Sequence, residues 1–117
     1  MTDMLRVLHL DLLVDRAKFL TAAGQSALQL DRALAAKRLF ALELHGREYV
    51  PDFFLDHRYD RRQLATVSKL LGDLSGGSKL QFFTTPKGSL SGQTPLEALA
   101  DRKFAAVRRT AQGFAER

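Results

Sequence analysis

The sequence predicts a mainly α-helical protein with one small β-hairpin. The front half has the layout of a helix-turn-helix with a wing, and the tail half is helical. Three observations carry this. Two segments with apolar residues near helical spacing, 11–23 and 27–38, are joined by a tight turn at Gly24. Two apolar stretches are separated only by His45-Gly46, the spacing of a hairpin with a primed turn. Thr94-Pro95-Leu96-Glu97 then reads as a helix start. Thr94 supplies a capping oxygen, Pro95 a fixed φ at the first helical position, and Glu97 a carboxylate that reaches back to the cap.

The first helix is expected over Asp11–Ala23, with Leu12, Leu13, Ala17 and Leu20 close to helical spacing and Gly24 ending it. Ser26 is the expected N-cap of a second helix, Ala27 to about Arg38, in which Leu30 and Leu34 share a stripe. Asp31 comes before Lys37 and Arg38, the order the helix dipole favours. Such a pair is either a helix-turn-helix or an αα-hairpin used only for packing. Leu39–Leu44 and Arg47–Val50 follow as the hairpin, with Leu42 opposite Tyr49, Phe40 opposite Pro51, and Pro51 at an edge or strand end. A hairpin directly after a helix-turn-helix is the layout of a winged DNA-binding domain. Gln25, Ser26, Gln29, Arg32 and Arg38 are then the groove-facing candidates, with Arg47 on the wing. Amides and hydroxyls read base edges, and guanidinium groups hold phosphate or guanine. Asp31, on the same helix, would repel DNA if it faced the backbone.

Phe53-Phe54-Leu55 is expected to be extended or loop. A third helix runs from Arg61 to about Leu71, with Leu64, Val67, Leu70 and Leu71 inward. Gly72–Ser78 reads as a flexible connection, Leu80–Phe83 as a packed extended piece and Thr85–Ser89 as a turn. The helix from Pro95 gives way at Asp101 to a final helix, Arg102–Phe114. Phe104, Val107 and Ala111 line one side of it, and Arg102, Lys103, Arg108 and Arg109 give a basic face. That face is either solvated cover over a core seam or a surface that docks an acidic cleft or touches DNA. Residues 1–58 and 59–117 are the expected front and tail regions.

A chain of 117 residues, 45% apolar and 26% charged, is one soluble domain by size and composition. It contains no apolar run long enough for a membrane span, and Met1–Val14 lacks the order of a signal peptide. Without cysteine there is no disulfide and no thiolate, so the cytoplasm is the expected compartment. The net charge of +5 suits an anionic partner as well as plain solubility. His57 and Asp60 stand at i, i+3 but lack a third metal ligand. Gly72–Lys79 ends Gly-Ser-Lys rather than Gly-Lys-Ser and follows a helix, unlike a phosphate loop. Ser68, Ser75 and Ser78 have neither an elbow motif nor a recognisable acid–histidine pair. A binding protein without cofactor or metal is expected rather than an enzyme.

From about Arg61 onward the chain resembles the toxin-binding domain of antitoxins of the Xre/MbcA/ParS type. The residues that carry the resemblance are Phe82-Phe83 before the Pro86-Lys-Gly turn, Leu90-Ser-Gly-Gln-Thr-Pro-Leu-Glu-Ala-Leu99, Val107 and Gly113-Phe114. The front, with Leu39–Leu44, Gly46 and Tyr49-Val-Pro-Asp-Phe53, looks like the helix-turn-helix region that precedes this tail in some relatives. The resemblance implies an antitoxin that blocks the active site of a cognate toxin, often an NAD-consuming RES-domain enzyme, with its C-terminal region and binds its own promoter with it; a homodimer is expected. Leu90, Gly92, Thr94, Pro95 and Leu99 would build the domain. Leu96, Phe104, Val107, Arg109, Gly113 and Phe114 would lie at the toxin contact. Arg102-Lys103 stands where the family usually has a glycine, and the front is shorter than a full repressor domain. The alternative is a stand-alone winged helix-turn-helix regulator whose tail only dimerises.

Overall fold

A computed structural model describes residues 12–116. The described chain is mainly helical, with six α-helices and a small three-stranded antiparallel sheet. It opens with a strand, β1 (Leu13–Asp15), followed by α1 (Arg16–Ala23). The expected first helix is thus too long at its front, and its expected first residue, Asp11, lies outside the described residues. The reason is local. Asp15 adopts extended backbone and its carboxylate accepts from Lys18 N at 2.9 Å, so it caps the helix instead of lying within it. Leu13 and Val14 are then free to pair with a strand. Gly24 ends α1 at φ 64°, as expected.

Ser26 and Gln29 form a reciprocal capping box at the start of α2 (Ala27–Ala35). That helix stops before the expected Arg38. Lys37 takes φ 60°, and Arg38 N bonds back to Ala33 O at 3.0 Å. β2 (Leu42–Leu44) and β3 (Arg47–Pro51) make the hairpin, with His45 and Gly46 both at positive φ, 52° and 76°. This is the pattern of a type I′ turn, whose twist matches that of the strands. Leu42 pairs with Tyr49 in the expected register. Phe40, however, precedes β2, and Pro51 pairs with Leu13. β1 has joined the hairpin's other edge to give the order β1-β3-β2, so the sheet has three strands rather than two.

A 3₁₀ turn over Asp52–Leu55 replaces the expected extended segment and buries Phe53 and Phe54. α3 (Arg61–Leu70) is capped by Asp60, which accepts from the backbone of Arg62 and Gln63. Leu64, Val67 and Leu71 are buried and Leu70 half-buried. The glycine-rich stretch 72–78 is not a connection throughout. Ser75 caps a helix, α4 (Gly76–Thr84), which takes in Leu80, Phe82 and Phe83. Gly76 sits in that helix because nothing larger fits: a Cβ there would lie 2.1 Å from the carbonyl oxygen of Ala41. After a 3₁₀ turn (Gly88–Leu90), Thr94 and Glu97 close the expected capping box on α5 (Pro95–Ala100). Asp101 to Lys103 break the chain's direction, with Arg102 at φ 61°, before α6 (Phe104–Ala115).

Front and tail share one core. Phe19 and Leu30 from the front belong to the same buried cluster as Leu64, Val107 and Ala111. A chain of ring contacts crosses the molecule. Phe40 meets Phe53 (6.2 Å between centroids), Phe53 meets Phe83 (5.0 Å), Phe83 meets Phe82 (5.6 Å), and Phe82 meets Phe114 (5.1 Å). Edge and tilted arrangements of this kind add to the burial of apolar area. No helix among the described residues is long and apolar enough to cross a membrane.

Candidate functional site

Two surfaces are candidates for a binding site. The first lies at the front, where Arg16 joins three elements. Its guanidinium donates to Asp31 on α2 at 2.8 Å and to Glu48 on β3 at 2.7 Å, and it reaches Ala27 O at 3.3 Å. Those two carboxylates hold Arg16 in its charged form more firmly than usual. Asp31 thus shares the Arg16 guanidinium with Glu48. The acid that opposed a DNA-facing reading of α2 has a partner.

Leu30 and Ala33 are the buried side of α2. Leu28, Arg32 and Ala35, at i, i+4 and i+7, form the outward ridge, and all three are exposed. Of the candidate groove residues, Arg32 lies on that ridge. Arg38 is exposed just beyond α2, and Arg47 is exposed beside the hairpin turn. Ser26 and Gln29 are exposed but spend their side chains on each other's backbone. Gln25 does not present its amide fully, because its Oε1 is buried without a hydrogen-bond partner. Leu28, which is 57% exposed, is the residue here that sequence alone does not flag, since a leucine in an amphipathic helix reads first as core.

The second surface is a groove of about 590 Å³ between the Lys87-Gly88-Ser89 turn and the outer side of α6. Ala106, Arg109, Thr110, Gly113 and Phe114 form the helical wall. A hydrogen bond of 2.9 Å between Ser89 Oγ and Thr110 Oγ1 ties the two walls together. Lys87 is held at the rim by two ring faces, with its Nζ 5.1 Å from the centroid of Phe82 and 4.8 Å from that of Phe114. Among the described residues no carboxylate lines the groove. Arg109 is the exposed cation of this lining, beside the half-buried ring of Phe114.

Comparison of the chain with protein-family models, with curated proteins and with solved structures returns no match.

Arg109, Gly113 and Phe114, three of the expected partner-contact residues, come together in this groove. Phe104 and Leu96 are half-buried and do not line it. Val107 has no exposed surface, so it supports α6 from inside the core and is corrected from a contact residue to a packing one. Lys87 is the groove residue that sequence reasoning misses, since Pro86-Lys87-Gly88 signals only a turn. Among the described residues no group of three or more histidines and carboxylates could hold a metal. Asp60 is occupied in capping α3.

Proposed function

We propose that the chain is an antitoxin-like binding protein without enzymatic activity. Its tail neutralises a cognate protein toxin through the groove along α6, and its front, a winged helix-turn-helix, binds promoter DNA. The observation that carries the tail reading is Gly113. It sits within a twelve-residue helix, at ordinary helical φ, exposed, and a Cβ there would meet nothing within 4 Å. Glycine at such a position costs roughly 0.5–1 kcal/mol relative to alanine. Nothing among the described residues requires it, whereas a partner's backbone lying close against α6 would. Arg109 flanks the same spot and is exposed, so the partner surface that fits carries a carboxylate beside an apolar side chain.

The front reading rests on the Arg16 clamp, which fixes α2 against β3 and leaves Arg32, Arg38 and Arg47 outward. This also supports a second reading, a stand-alone regulator that uses the same DNA-facing surface and no toxin. Co-expression with the product of the adjacent gene distinguishes them. An antitoxin co-purifies with that product and restores growth of cells that express it. A neighbour that is neither toxic nor bound removes the antitoxin reading and leaves the regulator.

A further inference from the structure

On the reading that the front binds DNA, we infer that Leu28 is a specificity-determining residue that packs against the C5-methyl group of a thymine. Four side chains at the amino end of α2 each have an oxygen already engaged or buried. Ser26 and Gln29 close the capping box, the Gln25 oxygen is buried, and Asp31 is paired with Arg16. What remains outward is the ridge of Leu28, Arg32 and Ala35. Leu28 stands in the first turn of the helix, the part of a recognition helix that reaches base edges. It is the only large apolar side chain among the described residues left exposed. Its neighbour one turn on, Arg32, is the charge that would hold the helix in the groove.

An apolar side chain reads the major groove in one way. Of the four bases only thymine offers a methyl group there, and apolar contact with it discriminates thymine from cytosine and the purines. Leucine flanked by a guanidinium thus predicts a thymine beside a phosphate or guanine contact. Ala35, one turn further along, is small enough to let the duplex lie against the ridge.

The probe is DNA from immediately upstream of the gene, amplified either with thymidine or with deoxyuridine triphosphate, so that the two duplexes differ only in the methyl groups. Wild type is expected to bind the thymine duplex more tightly, by about fourfold for each methyl buried. Leu28→Ala is expected to bind both duplexes equally while keeping its thermal midpoint, since the site is exposed and alanine is a good helix former. Equal binding of the two duplexes by wild type overturns the inference. So does discrimination that persists in Leu28→Ala. Absence of binding to either duplex at low salt is a different failure, because it removes the DNA-binding reading of the front and the inference with it.

Discussion

Two glycines in helices carry opposite messages. Gly76 is required by packing, because its Cβ would be driven into the Ala41 carbonyl, which belongs to backbone and cannot swing away. Gly76→Ala is expected to cost about 2–3 kcal/mol, in the range of overpacked cores. Gly77→Ala next to it, whose Cβ would find its nearest neighbour at 4.0 Å, should leave stability unchanged or raise it slightly. Denaturant midpoints of the two variants check this. Gly113→Ala is expected to stabilise the isolated protein by about 0.5–1 kcal/mol and yet weaken its hold on the partner. A variant gaining both would show that nothing approaches α6 closely. Lys79 is a third telling residue. It is 5% exposed, its ammonium lies 6.0 Å from the Phe40 ring centroid, and burial holds its pKa below the ordinary 10.5. The unfolded chain therefore binds that proton more firmly. Stability should rise as pH climbs from the lowered pKa towards 10.5 and level off above it. Lys79→Met keeps the apolar stem and removes the charge. It should raise Tm at neutral pH by roughly 4 °C, equivalent to about 1 kcal/mol, and abolish that pH dependence.

At the scale of elements, caps and turns are legible in the sequence where their chemistry is specific. Ser26 with Gln29, Thr94 with Glu97, and His45-Gly46 each do in the fold what their residue types suggest. Thr94→Ala should accordingly cost about 1 kcal/mol in thermal or chemical unfolding. β1 is hidden because Leu12-Leu13-Val14 fits a helical stripe as well as a strand, and only its partner across the sheet decides between them. α4 is hidden because Gly76-Gly77 signals a break, and the close approach of Ala41 that demands Gly76 joins residues far apart in sequence. The Arg16 clamp is invisible for the same reason, since it spans three elements. Arg16→Met should cost about 0.5–1 kcal/mol, and the loss should shrink at high salt because the pairs are partly exposed.

For the whole molecule, the shared core matters most. Composition and spacing divide the chain into regions 1–58 and 59–117, yet the described parts of both contribute to one buried cluster, with a run of phenylalanines from Phe40 to Phe114. The α2 ridge and the α6 groove are thereby carried on one packed body, but their chemistry is separate: Arg32 and Arg38 on one side, Arg109 on the other. Replacing Arg32 and Arg38 by alanine should reduce the salt slope of DNA binding by about 1 for each phosphate that these side chains neutralise. The groove is half legible in sequence. Arg109, Gly113 and Phe114 stand together near the end of the chain, but Lys87 reaches them only through the fold. The most direct test is the affinity of the adjacent gene's product for two single variants, measured by calorimetry. Arg109→Glu should weaken binding by roughly a hundredfold, as expected when one partner of a buried charge pair is reversed, while Arg32→Ala leaves it unchanged. Wild-type affinity in Arg109→Glu, with the loss falling on Arg32→Ala instead, would contradict a partner site along the last helix.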